Sequence, residues 1–462
     1  MEQVAVIPTT LDPVLQPLAE RVLDAMERLH VPGVAVGILH EGQEYTAGFG
    51  VTSVENPLPV TPATLFQIGS ITKTVTATAA MRLVEQGTLD LDVPVRTYLP
   101  DLRLADNDVA ARVTLRHLFT HTGGWPGDYF DDTGSGDDAL ARIVARLHIL
   151  PQQTPLGALY AYNNAGFYIA GRVIEAVTGK VYEAVARALV LDPLGMSMSF
   201  FFPGEVMTRR FAVGHIERDG APTVARPWPL ARCGNAVGGL ASTATDQLRY
   251  ARFHLGDGTT PDGARLLSSE SMLLMHSPQG PGGNDVDAVG ITWMLRDYAG
   301  ARIVRHGGAT LGQLSAFQLI PERNFAITIL TNADKGDQLN TELLEWAYAH
   351  YLGLHKPDEA HLPMAAEQLQ AYAGTYASLL HDIVLTVQDG SLVAQDVPKG
   401  GFPAKDSPPQ PADQPSRLAF VGPDRVIGLD PSMKGAHAEF LRDAAGNLEW
   451  LRLGGRLLSR QE

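Results

Sequence analysis

The sequence predicts a mixed α/β (α+β) fold: an antiparallel sheet flanked by helices, an all-helical lobe inserted into it, and a small antiparallel β-barrel appended at the C-terminus. Three observations predict it. Apolar runs that read as strands lie near the beginning of the chain and again between residues 289 and 330. Between them, from about Thr88 to Ser277, apolar residues fall mostly at helical spacing, with long loops. After Leu354 the texture changes to short alternating runs separated by turn residues. One sheet built from both ends of the first unit, with the helices inserted, is the natural architecture. The chain has 462 residues, enough for a large core plus an appended module. The boundaries fall at 1–355 for the first unit, with its helical lobe at about 88–285, and at 356–462 for the second.

The elements follow in order. Asp12-Pro13 is a helix start, an N-cap aspartate followed by proline at the first helical position. Leu18, Val22, Met26 and Leu29 form one stripe, which Pro32-Gly33 ends. Residues 34–39 and 45–51 read as a hairpin around Glu41-Gly42. Phe66-Gln67-Ile68-Gly69 reads as a loop that leads into a helix ending at Gly87. Helical patterns cover 140–147, 165–177 (closed by Thr178-Gly179) and 244–255. Strand-like runs return at 289–295, 302–305, 314–320 and 325–330, and a helix over 339–351 closes the unit. Beyond it, short runs at 383–387, 392–394, 418–421, 426–429, 438–441 and 448–453 are punctuated by Asp389-Gly390, Gly422-Pro423-Asp424 and Ala445-Gly446-Asn447. Roughly six to eight strands at this spacing suggest a small barrel or sandwich. The proline-rich segment 398–415 reads as an exposed, semi-rigid loop within it.

Composition narrows the function classes. The apolar share of 45% is that of a globular protein. No apolar run is long enough for a membrane span, and the net charge of −15 disfavours nucleic acid and anionic membrane surfaces as partners. Met1-Glu2-Gln3-Val4-Ala5-Val6 lacks the basic and apolar regions of a signal peptide, so a cytoplasmic location is expected. Cys233 is the only cysteine, which excludes an intrachain disulfide and a cysteine-based metal cluster.

The chemistry centres on Ser70-Ile71-Thr72-Lys73. A serine at the first turn of a helix and a lysine three residues on share one face, which brings an amine within reach of a hydroxyl. Serine is a poor nucleophile without a base, and a desolvated lysine can be that base. Alone the tetrapeptide is a weak signal, and two further motifs give it a setting: Tyr162-Asn163-Asn164 and His306-Gly307-Gly308, the latter between two strand-like runs.

Read together, the three motifs resemble the Ser-x-x-Lys, Tyr-x-Asn and Lys/His-x-Gly pattern of the serine β-lactamase and penicillin-binding-protein superfamily. They resemble in particular the class C-related branch, with its esterases and D-stereospecific peptidases. His117-Leu118-Phe119-Thr120-His121-Thr122-Gly123-Gly124, Gly238-Gly239-Leu240-Ala241-Ser242-Thr243 with Asp246, and the stretch from Ile320-Pro321 to Leu330-Thr331-Asn332 are similar to further family signatures. The likeness runs from about Leu11 to Tyr351, and the C-terminal segment resembles the lipocalin-like barrel of some class C-related hydrolases. The resemblance implies an acyl-enzyme on Ser70, with Lys73 or a Tyr162 phenolate as the base that takes its proton; the sequence leaves both open. Tyr160 is the competing phenol, and Tyr162 is preferred because Asn164 then fills the Asn position and orients the substrate amide or the lysine. His306, Gly307 and Gly308 would line the opposite wall of the cleft, with the backbone N–H groups of Ser70 and Ala309 as the oxyanion hole.

The members that process β-lactams usually carry lysine and then threonine or serine where this chain has His306 and Gly307. That removes a permanent charge and a hydroxyl from the β-lactam carboxylate site, so poor β-lactam turnover is expected. The expectation is a serine hydrolase that cleaves an ester or amide of a small molecule or short peptide. The alternatives are a β-lactamase and a penicillin-binding sensor that acylates without turnover. No cofactor and no metal are expected. His117 and His121 lie one turn apart without the glutamate of a zinc motif, and Asp128, Asp131, Asp132, Asp137 and Asp138 miss calcium-loop spacing and read as a solvated lid loop. No Gly-x-Ser-x-Gly elbow supports an α/β-hydrolase. The C-terminal module is expected to be passive, and a homo-oligomer is an open option.

Overall fold

The computed structural model describes residues 11–283, 285–357 and 359–461; the Met1–Val6 stretch read for a leader lies outside them. Asp12 caps a short turn, Pro13–Leu15, by accepting a hydrogen bond from the Val14 amide at 2.9 Å, and the helix Gln16–Arg28 follows. Its stripe of Leu18, Val22, Ala25 and Met26 packs with the helix Gly336–Leu352 over one face of the main sheet. The hairpin Gly33–His40/Gln43–Gly50 turns at Glu41 and Gly42, both at positive φ (51° and 78°), the backbone that a two-residue hairpin loop demands.

The sheet has eight antiparallel strands in the order Gln43–Gly50, Gly33–His40, Phe325–Thr331, Gln313–Ile320, Ala301–Thr310, Met294–Tyr298, Val286–Val289, Gly280–Gly283. The first two come from the start of the chain and the rest from the far side of the helical insert, as the sequence pattern predicts. The opposite face of the sheet packs on the insert through a large apolar core. Within it lies the helix Thr72–Glu85, buried along nearly its whole length. Its alanines and threonines allow close packing on every side, and Gly87 (φ 69°) follows its end. The helix Ala165–Thr178 ends on Gly179 at φ 66°, a left-handed cap.

Two details depart from the sequence reading. The run 289–295 is not one strand: Val289 ends one and Met294 begins the next, and between them the chain turns (Gly290 N–H to the Trp293 carbonyl, 2.8 Å) to bury Trp293 completely. The helical lobe also contains a hairpin, His215–Arg218/Ala221–Val224, and a short pairing of Phe66–Gln67 with Ala241–Ser242, both too brief to give a period. The C-terminal segment is a closed barrel of eight antiparallel strands, as its short alternating runs predict. Its first and last strands, Gly374–Ala377 and Arg456–Arg460, carry no apolar alternation; they pair through Tyr376 and Arg460 and so close the barrel. No helix among the described residues is long and apolar enough to cross a membrane.

Candidate active site

Ser70 sits in a tight turn, Gly69–Ile71, at the head of the helix Thr72–Glu85. Gly69 has φ 51°, and a Cβ there would stand 2.6 Å from the Ala309 nitrogen, so this turn requires glycine. Ala309 lines the cleft beside Ser70. Gly308 is equally constrained: a Cβ would lie 1.9 Å from the Ile68 carbonyl, and the Ser315 hydroxyl donates to that same carbonyl at 2.8 Å. The strand Ala301–Thr310 is thus drawn against the Ser70 turn. Gly307 differs, for it is exposed and its nearest neighbour would be the Ser315 carbonyl at 3.4 Å, so the space there is open to a side chain.

Lys73 is wholly buried, with Nζ 2.8 Å from the Ser70 Oγ and 2.9 Å from the Val237 carbonyl. Burial drives its ammonium well below the usual lysine range; the positive charge of Arg456 adds to this and the negative charge of Asp128 opposes it. A neutral amine that donates to Val237 has a lone pair left for the Ser70 proton.

Tyr162 lies against this pair. Lys73 Nζ is 5.2 Å from its ring centre, His121 stacks on the ring at 4.4 Å, and its hydroxyl is hydrogen-bonded to Ser70. Burial raises the phenol pKa above the usual range, outweighing the opposing pull of Arg456 and Ser70. This burial favours the neutral phenol over the phenolate, one of the two bases that the sequence leaves open. Tyr160, the competing phenol, packs instead near His121 and Arg452, and burial pushes it up to about 12.

Asn164 lines the cleft but does not hold the lysine. Its amide donates to Asp128 Oδ1 at 2.6 Å, and the Val237 carbonyl takes the place expected for it beside Lys73. Asn163 is structural: its side chain donates to the Trp125 carbonyl and accepts from the Gly166 amide. His306 is buried, with its ring centre 6.1 Å from that of Tyr162 and Nδ1 donating to the Gly307 carbonyl at 2.6 Å. Burial, followed by the charge of Lys73, pushes its pKa down to about 3, so the ring is neutral.

The sequence reading missed Arg456. The last hairpin of the barrel lays its turn, Gly454-Gly455-Arg456, against Tyr162: the Tyr162 amide donates to the Gly455 carbonyl at 2.7 Å, and Arg456 Cζ lies 4.5 Å from the Tyr162 ring centre. Arg456 pairs with Asp128 at 3.1 Å, and Asp128 holds Asn164, so one polar chain links the barrel to the cleft. The two glycines, both at positive φ, are a turn signal readable in the sequence, but not the surface that the turn meets. The remaining candidates serve structure. His117 bonds Thr114 at the head of a helix, and His121 Nδ1 accepts from the Asn163 amide. Asp131 is buried against Arg146 and Lys405 rather than solvated, while Asp137 and Asp138 pair with Arg232 and Arg142.

Comparison with known proteins shows where the chain belongs. The β-lactamase family model matches residues 18–350. Penicillin-binding protein 4 of Amycolatopsis lactamdurans is 35% identical over 356 residues, which is 75% of this chain and 93% of that protein. The crystal structure of SurE with D-Leu superposes with a TM-score of 0.70 at 25% identity, covering 96% of this chain and 99% of that one. The octameric penicillin-binding protein homologue from Pyrococcus abyssi gives a TM-score of 0.65 at 25% identity, covering 96% and 99%. From the extent of the family match and the identity to a near-full-length relative, the chain belongs to the β-lactamase family.

Proposed function

We propose that the protein is a serine hydrolase of the esterase or D-amino-acid peptidase type, cleaving an ester or amide through an acyl-Ser70 intermediate. The observation that carries the reading is the buried Lys73 amine 2.8 Å from the Ser70 hydroxyl. Lys73, neutral at rest, takes the Ser70 proton as Oγ attacks the carbonyl carbon. The oxyanion forms between the backbone N–H groups of Ser70 and Ala309. The Tyr162 phenol gives its proton to the leaving oxygen or nitrogen and is reprotonated from the Lys73 ammonium. Water then attacks the acyl-enzyme, surrendering a proton to the same pair, and Ser70 leaves as the hydroxyl.

A neutral His306 and a Gly307 without a hydroxyl offer a β-lactam carboxylate little, which argues for an ester or amide substrate. The likeness to SurE, solved with D-Leu, supports a D-configured residue in the donor. The test is turnover of wild type and Ser70→Ala on a short aryl ester, a D-alanyl amide and a cephalosporin. Turnover of the ester or the amide, abolished in Ser70→Ala, is expected. Turnover of the cephalosporin alone makes the protein a β-lactamase. One equivalent of product without turnover makes it a penicillin-binding sensor.

A further inference from the structure

The proline-rich segment 398–415, expected to be an exposed spacer, contributes a wall to the cleft. Phe402 and Pro403 face a cleft that opens from Ser70, and across it lie Phe130, Tyr168, Leu230 and Val237. Phe402 meets Phe130 edge to face at 4.9 Å, an arrangement that aromatic pairs favour. The loop tip is built rather than loose. Gly401 N–H donates to the Ser407 carbonyl (3.0 Å), Ser407 N–H to the Ala404 carbonyl (2.8 Å), and Ala404 N–H to the Ser407 hydroxyl (3.1 Å). Lys405 ties the tip to the first unit through Asp131 at 3.6 Å. Asp131 also lines the cleft, but Arg146 and Lys405 already hold its carboxylate. The wall facing Ser70 is therefore apolar and aromatic, and the barrel completes it with Phe402 and Pro403.

We infer that this wall is the subsite for the acyl donor's side chain, that it takes an aromatic or branched apolar group, and that Phe402 of the barrel loop, closed on Phe130, sets this preference. The inference rests on the serine-hydrolase reading and names its substrate class. A small acyl group leaves the wall unfilled, whereas a phenyl or branched group buries its surface against it before Ser70 attacks, so the gain enters kcat/KM.

The experiment compares kcat/KM for p-nitrophenyl phenylacetate and p-nitrophenyl acetate in wild type, Phe402→Ala, Phe402→Leu and Lys405→Ala, with thermal melts to establish folding. Wild type is expected to favour the phenylacetate by about tenfold or more, a ratio on the scale that apolar pockets achieve. Phe402→Ala should bring that ratio down by about tenfold, while Phe402→Leu keeps most of it. Lys405→Ala, which touches only the tether, should lower the ratio by a smaller factor, and it carries the test if Phe402→Ala does not fold. An unchanged ratio in the folded variants overturns the inference, as does an equal loss on both esters. A wild type that depends on Ser70 yet shows no preference for the phenylacetate overturns this inference alone. Activity that survives Ser70→Ala overturns the reading beneath it.

Discussion

Removing the positive charge that the barrel lays against Tyr162 should weaken the catalytic base on the acid side of the pH profile. Arg456 Cζ and Lys73 Nζ lie 4.5 Å and 5.2 Å from the Tyr162 ring centre. The two cations are therefore no more than ~10 Å apart, and at an effective dielectric constant of about 20 their repulsion is ~1.7 kcal/mol. Arg456 is 40% exposed, so water screens part of this; about half, ~0.9 kcal/mol, is a factor of roughly five in the Lys73 protonation equilibrium. The sign follows from the charge. Arg456 disfavours the ammonium, so Arg456→Gln favours it, and an ammonium cannot accept the Ser70 proton. The acidic limb of kcat/KM should move to higher pH, with about fivefold less activity at a fixed pH on that limb and full recovery on the plateau. Asp128 acts in the opposite sense, so adding Asp128→Asn to Arg456→Gln should move the limb part of the way back. The assay is the pH profile of ester hydrolysis for the three proteins. A limb that stays in place, or a loss equal at every pH, would falsify the electrostatic account and leave Arg456 a packing role only.

Tyr162→Phe should lower amide hydrolysis by about 10²-fold or more, the usual range for a lost general acid, and p-nitrophenyl ester hydrolysis far less, because that leaving group departs without a proton; equal losses on both substrates would count against proton delivery. Gly308→Ala drives a Cβ to 1.9 Å from the Ile68 carbonyl, whereas Gly307→Ser enters open space, so a melting comparison should find the first destabilised by about 1–3 kcal/mol or more and the second near wild type. His276 and His254 face each other across 3.1 Å beside Trp293, and burial holds the His276 pKa at about 4. Between pH 6.5 and 4 the unfolded chain binds a proton at His276 that the folded chain refuses, so the contribution of His276 is full above 6.5 and falls by about 3 kcal/mol on the way down, beside those of the other buried histidines. His276→Gln should flatten that slope in denaturant titrations run across the same window, and an unaltered slope would exclude the histidine as its source.

What could be read in the sequence was local. Ser70 and Lys73 are one turn apart, so backbone geometry alone brings them together, and Glu41-Gly42 needs only its own backbone to make the hairpin. Gly308 could be read as a close approach because glycine is the residue that such contacts demand. The properties that turn proximity into chemistry came from farther away. Whether Lys73 is a base depends on its complete burial, on the Val237 carbonyl and on Arg456, none of which its neighbours in sequence encode. The aspartates at 128 and 131 looked like a solvated run because their partners, Arg456, Arg146 and Lys405, lie in other elements.

The same limit explains the barrel. Its composition announces strands and turns but not a docking surface, and a proline-rich stretch reports stiffness without direction. A passive module would touch the first unit through surfaces remote from Ser70. This one instead places the Gly455 carbonyl on the Tyr162 backbone, Arg456 over the Tyr162 ring and Phe402 against Phe130. The first two contacts fall on Tyr162 and the third on the wall of the Ser70 cleft, so the barrel cannot move away from the first unit without altering the charge around Lys73 and the wall beside Ser70 together. Base strength and substrate preference should therefore change in step when the docking of the barrel is loosened, and separately when single residues of the first unit are changed.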